Sequence, residues 1–211
     1  PFVGSLIGLA LSLSTFLFAI LPGPAVAALI VGGSVIITGG IHLDGFADTC
    51  DGLYGFTTKE RALEIMRDSR IGTMAAVGIV ILLILKFSLF LSIPQEIIWK
   101  YLVLMTAFSR YAQVLACFFS EYARDGDGKG RWFIEYAGLG GLIAGGVFIV
   151  ALFILLLGVK GLALFIVSLL PVFALIHYIK VKIRGMTGDT IGAINEVAEA
   201  TVLLFGMILQ G

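Results

Sequence analysis

The chain reads as an all-α integral membrane protein, a polytopic transmembrane helical bundle of about seven spans with one short cytosolic amphipathic helix. Three observations predict it. Of 211 residues, 59% are hydrophobic and only 13% are charged, where soluble domains carry roughly 25% charged residues. The apolar residues fall into runs of about 20, the length at which a helix crosses the hydrocarbon core. Proline and glycine breakers stand between the runs. Residues 1–211 are expected to form a single membrane domain, with no room for a second soluble one.

Runs 2–21 and 25–43 are parted by Leu21-Pro22-Gly23-Pro24, where proline fixes φ and removes a donor. Run 74–92 follows a short helix expected over 59–69, which Thr58 is placed to cap. Ile93-Pro94 separates it from run 97–119. Runs 137–157 and 162–179 are divided by the stretch from Gly158 to Gly161. The last run, 191–209, starts after a polar island.

The charges sort by side. The loops after the second, fourth and sixth runs hold Lys59, Arg61, Arg67, Arg70, Arg124, Lys129, Arg131, Lys180, Lys182 and Arg184, whereas the opposite loops hold Lys100 and Lys160. The excess of Lys and Arg marks the first set as cytoplasmic. The N-terminus then lies in the cytoplasm and the C-terminus outside. Asp68, Asp125, Asp127 and Asp189 gather on the cytoplasmic face with the motif described next. A formal net charge of zero gives no basis for nucleic-acid binding. Cys50 and Cys117 form no framework pattern and are expected as free thiols.

The densest chemistry lies between Gly39 and Gly52. Asp44, Asp48 and Asp51 are spaced four and three apart, which puts them on one face of a helix. Like charges this close repel unless a cation sits among them. An all-oxygen cluster suits Mg²⁺, Mn²⁺ or Ca²⁺ rather than zinc. Gly45 and Gly52 thin the helix and admit another backbone or a substrate. His42 is placed to bind phosphate, to move a proton, or simply to end the helix.

Three further islands carry polar groups. Between Arg61 and Gly72, Glu64 and Asp68 share a helix face; Asp68 is a candidate fourth carboxylate, and Arg67 and Arg70 offer forked donors that match phosphate. Arg110 lies inside an apolar run, where an ionisable group is expensive, so it is either functional or the partner of a buried acid. Arg124 opens a glycine-rich loop. From Lys182 to Glu199, Thr187, Asp189 and Thr190 suit a helix start, and Asn195, Glu196 and Glu199 enter the final run. Those last three are read as substrate-binding groups or as partners of Arg110 or Lys182. His177 is read as structural. Gly4/Gly8 and Gly141/Gly145 are small-residue pairs suited to helix packing or to a homo-oligomer contact.

Taken in chain order, residues 42–52, 61–72, Ser109-Arg110, 122–124 and 187–199 resemble the cobalamin synthase family, also called adenosylcobinamide-GDP ribazoletransferases. The resemblance implies a late step of cobalamin biosynthesis. The enzyme joins adenosylcobinamide-GDP to α-ribazole or α-ribazole 5′-phosphate, releases GMP, and forms adenosylcobalamin or its 5′-phosphate. It also implies Mg²⁺ as cofactor, and a multi-pass place in the cytoplasmic (inner) membrane with the active site facing the cytosol. The corrinoid nucleotide, ribazole and the lipid bilayer are then its partners. On this reading Asp44, Asp48, Asp51 and Asp68 hold the metal. Asp68, Asp51 and His42 are the catalytic candidates. Arg67, Arg70, Arg110, Arg124, Lys182, Asp189, Asn195, Glu196 and Glu199 contact substrate. The family begins with a further segment that is expected to be missing before Pro1.

Two other readings compete. The acidic motif is also similar to that of CDP-alcohol phosphotransferases of lipid synthesis, but Tyr54-Gly55-Phe56 stands where their Ala-Arg is expected. A transporter would spread Arg110, Glu196 and Glu199 along a path through the membrane midplane, whereas most polar residues here sit near one face.

Overall fold

The structure, a computed structural model, describes residues 1–55, 58–126, 128 and 130–210. Phe56, Asp127 and Lys129, named above, lie outside the described residues. The elements in chain order are α1 (Phe2–Leu17), α2 (Gly23–Ile37), α3 (Ile41–Leu53), α4 (Lys59–Ile65), α5 (Thr73–Ser92), α6 (Ile98–Phe118), α7 (Arg131–Glu135), α8 (Leu139–Ile183) and α9 (Gly188–Gln210). Among the described residues there is no strand, only an isolated bridge between Tyr122 and Met186.

Helix α6 is the axis of the bundle. Every residue from Tyr101 to Ser109 on it is buried, as expected of a helix enclosed on all sides. Helix α1 crosses it at Gly4 and Gly8. A Cβ on Gly4 would run into the Thr106 carbonyl, and one on Gly8 would lie 2.5 Å from Val103 Cα. That pair therefore serves packing within the chain. Helices α5 and α8 turn apolar side chains outward, among them Val80, Ile81, Ile84, Val147, Leu155 and Leu170, an arrangement suited to lipid.

The span count is coarser than the seven expected. Among the described residues four helices are long and apolar enough to cross a membrane, or five if the bent pair α2–α3 is one span. At 16 residues, α1 falls short of that length, and two further differences account for the rest. First, run 25–43 is not one helix. Gly39 and Gly40 both adopt positive φ, at 63° and 71°, which glycine does without steric cost. The chain turns there, and α3 leaves α2 at 89°. Second, α8 covers both runs 137–157 and 162–179, but Gly158 has φ 60° and ψ −139°. Phe153 and Phe165 meet edge to face with ring centroids 5.7 Å apart, whereas a straight helix would separate residues twelve apart by about 18 Å. The chain therefore reverses at Gly158 and the two halves of α8 pack on each other. The helix expected over 59–69 is present only over Lys59–Ile65, with the Thr58 side chain accepting from Arg61 N–H.

Candidate functional site

The acidic face is built on α3, which holds Asp44, Asp48 and Asp51 within one helix. Two glycines set where it sits. A Cβ on Gly45 would lie 2.6 Å from the Asp189 carbonyl oxygen, and one on Gly192 would lie 3.1 Å from that of His42. The backbones of α3 and the start of α9 thus touch, and Asp189 comes beside the acidic face. Gly45→Ala is expected to push the two helices apart, at a cost of about 1–3 kcal/mol of overpacking. A lowered unfolding temperature together with reduced turnover would show it; an unchanged protein would mean the contact is slack.

The start of α9 is fixed by reciprocal bonds. Thr187 N–H donates to Thr190 Oγ1 at 2.8 Å, and Thr190 N–H to Thr187 Oγ1 at 3.2 Å. The loop after α6 is laid against it: Ala123 N–H donates to the Met186 carbonyl at 2.9 Å, and Met186 N–H to that of Glu121 at 2.8 Å. This brings Arg124 Nη2 to within 2.7 Å of Asp189 Oδ2.

A cavity of about 430 Å³ runs along the acidic face, lined by Asp44, Asp48, Asp51, Arg67, Asp68 and Arg70, among others. The structure thus gathers every carboxylate expected at the metal, with two of the expected phosphate arginines. Their states differ. Both Asp51 oxygens are engaged, accepting from Gly72 N–H at 2.7 Å and Ala75 N–H at 2.8 Å. Asp51 thereby caps α5, where free N–H groups and the helix dipole favour an anion. Asp68 is gripped by Arg70, whose Nε lies 3.0 Å from Oδ1 and Nη2 2.6 Å from Oδ2. The Arg70 guanidinium and backbone N–H hold the Asp68 carboxyl down at about 2. Asp44 and Asp48 make no hydrogen bond or ion pair among the described residues. Asp189, Asp44 and Asp51 press like charge on Asp48, against the opposing charge of Arg124.

Among the described residues no three His, Cys, Asp or Glu side chains converge as a closed metal cage. Two uncommitted carboxylates one helical turn apart do suit Mg²⁺, which keeps several waters and binds through one or two carboxylates plus substrate phosphates.

The remaining candidates lie elsewhere. His42 is not in the cavity lining; its Nδ1 faces Gln113 Nε2 at 3.3 Å. Lys182 Nζ donates to the Gly55 carbonyl at 2.7 Å, just beyond α3. Arg110, Asn195, Glu196 and Glu199 are engaged with one another inside the bundle. Arg110 Nη1 donates to Asn195 Oδ1 at 2.7 Å and to Glu199 Oε1 at 2.8 Å. The partner that sequence reasoning misses is Lys86 on α5. Its Nζ meets Glu199 Oε2 at 2.8 Å and also pairs with Glu196, and its side chain is 3% exposed. Its signal in the sequence is a single cation in an otherwise uncharged apolar helix.

The profile of the cobalamin-5-phosphate synthase family matches residues 1–207. An adenosylcobinamide-GDP ribazoletransferase of Acetivibrio thermocellus is 36% identical over 208 residues, covering 97% of this chain and 83% of the relative. That of Clostridium acetobutylicum is 37% identical over 179 residues, covering 84% and 71%. The Geotalea daltonii enzyme is 36% identical over 212 residues, covering 100% and 85%. No solved structure matches significantly. With the family profile matched from the first residue almost to the last, the chain belongs to the cobalamin-5-phosphate synthase family.

Proposed function

We propose that this chain transfers the cobinamide-bearing phosphate of adenosylcobinamide-GDP to a hydroxyl of α-ribazole or its 5′-phosphate. A new P–O bond forms to the ribazole oxygen, the pyrophosphate bridge breaks, and GMP leaves with the bridging oxygen. The observation that carries this reading is one cavity lined by two unpaired aspartates, Asp44 and Asp48, and by the guanidinium-bearing Arg67 and Arg70.

Asp44 and Asp48 would hold Mg²⁺, with Asp51 behind them at the α5 start. When bound, Mg²⁺ neutralises charge on the pyrophosphate as GMP departs. Arg67 orients phosphate oxygens through its forked donors, and Arg70, whose Nε and Nη2 are held by Asp68, has Nη1 left to meet them. A carboxylate held near 2 by Arg70 is a weak proton acceptor at neutral pH, so Asp68 serves better as an anchor for Arg70 or a further metal contact than as the base. Arg110, Asn195, Glu196 and Glu199 brace the helices that carry the site.

The family reading also places the chain in the cytoplasmic membrane with this cavity facing the cytosol. Its support is that Arg61, Arg67, Arg70, Arg124 and Arg131 all lie in the segments flanking the acidic face. Seven crossings follow if α8 counts twice at its Gly158 reversal and α1 and α2 each cross once. A transport path is disfavoured, because the space beside Lys86, Glu196 and Glu199 is only about 10 Å³.

The test is GMP release by the detergent-solubilised protein. Release is expected only with adenosylcobinamide-GDP, a ribazole acceptor and Mg²⁺ together, and chelation of the metal should stop it. Transfer from a CDP-linked lipid with none from the GDP-linked corrinoid would replace this reading with lipid synthesis.

A further inference from the structure

Helix α7 and the residue after it turn three large aromatic side chains outward. Trp132 is 68% exposed, and Phe133 and Tyr136 are each 73% exposed. With about 150–250 Å² on each aromatic side chain, these three leave roughly 300–500 Å² of ring surface uncovered. That alone matches the largest apolar patch of an ordinary soluble monomer, roughly 300–600 Å². The apolar surface also continues along the chain. Leu139, Ile143 and Val147 on the first half of α8 are exposed as well, and their spacing puts them on one stripe.

The aromatic segment is held in place from both ends. Ile134 is buried. A Cβ on Gly130 would lie 2.7 Å from the Gly188 nitrogen, which seats the head of α7 on the start of α9. At its other end Gly138 caps α8. The Trp132 and Tyr136 rings lie nearly parallel, 10° between planes, with centroids 5.3 Å apart. Lipid, a second copy of the chain and an apolar substrate are the occupants to weigh, and two observations favour lipid. The stripe runs directly into α8, which is long and apolar enough to cross a membrane and turns its apolar side chains outward. The composition also suits a bilayer boundary. Trp and Tyr place an apolar body among acyl chains and a polar tip among headgroups. Beside them Arg131 Nε pairs with Glu135 Oε1 at 2.6 Å, both side chains partly exposed, a charged pair at home among headgroups and costly in hydrocarbon. We propose that α7 and Tyr136 form an interfacial anchor whose partner is the lipid surface. The segment lies in the headgroup layer at the foot of α8 and sinks Trp132, Phe133 and Tyr136 about 5–10 Å into the boundary with the acyl chains. The anchor is independent of which phosphoryl transfer the acidic cavity performs.

Trp132 reports its own surroundings. The chain has two tryptophans, so Trp99→Phe leaves Trp132 as the sole indole emitter. In phosphatidylcholine nanodiscs holding one chain each, its emission should be blue-shifted from that of indole in water and protected from iodide. Lipids brominated near the headgroup end of the acyl chain should quench most of it, and lipids brominated at the chain end much less. If Trp99→Phe does not fold, the difference between wild type and Trp132→Phe gives the same reading, because Trp132 is on the surface and safe to replace. Emission at the water position, open to iodide and untouched by brominated lipid, overturns the anchor. Stronger quenching by chain-end bromines overturns it too, since the ring then lies in the hydrocarbon core. So does iodide protection that arises only in discs holding two chains, which means a second copy, or only on adding adenosylcobinamide-GDP, which means substrate. GMP release enters none of these readings, so failure of the proposed reaction and failure of the anchor are told apart.

Discussion

Asp48→Asn is expected to slow GMP release about 10²–10³-fold, the equivalent of roughly 3–4 kcal/mol of transition-state stabilisation. The substitution keeps the shape of the side chain and removes one charge. Asp48 has no hydrogen bond or ion pair to lose among the described residues, and it sits among Asp44, Asp51 and Asp189. Relief of that repulsion should leave the unfolding temperature unchanged or raised, so loss of activity would not be loss of fold. A Mg²⁺ titration should show a higher metal requirement, and Asp44→Asn should act in the same direction. Asp51→Asn should behave differently. It removes the carboxylate that accepts from Gly72 and Ala75 N–H, so it should lower stability by about 1 kcal/mol, as a lost helix cap does. Full activity with an unchanged Mg²⁺ dependence in Asp48→Asn would remove the metal assignment.

The acidic face is legible in the residues alone because helical periodicity is a local property: spacings of four and three fix a common face once the segment is helical. The role of Gly45 is half legible. A glycine beside charged residues announces close approach, but only the fold shows that the visitor is the Asp189 backbone. Asp51 illustrates what spacing hides. It shares the stripe with Asp44 and Asp48, yet residues more than twenty positions later take both its oxygens. The turn at Gly39-Gly40 carries a visible signal, two adjacent glycines, that the hydrophobicity of the flanking residues outweighs. Arg110 announces itself as a buried charge, and pairing with a buried acid is one of the two roles its position implies. Lys86 carries the same signal, one lysine in a twenty-residue apolar helix, but without a surrounding motif its partners 110 and 113 residues away are out of reach.

Lys86→Met is expected to be strongly destabilising. Lys86, Arg110, Glu196 and Glu199 form a buried set with two positive and two negative charges, none of whose side chains is more than 10% exposed. Removing one partner of a buried pair leaves the opposite charge uncompensated, at about 3–5 kcal/mol. For a chain of this size that lowers the unfolding temperature by about 10 °C or more, readable by thermal unfolding in detergent. Because the cost is an unbalanced charge, a second change that removes one negative charge should recover part of it. Lys86→Met/Glu196→Gln restores neutrality and leaves Arg110 on Glu199, so it should be more stable than Lys86→Met alone. A double variant no better than the single would mean that packing of the lysine stem, not charge balance, is what the helices need. The network also reaches the active face. Helix α5 is held at its start by Asp51 and at its middle, through Lys86, by α9, and α9 begins at Asp189. Loosening the buried set shifts both ends of that frame, so activity should fall in Lys86→Met and return in the double variant in step with stability, while the Mg²⁺ requirement stays at its wild-type value.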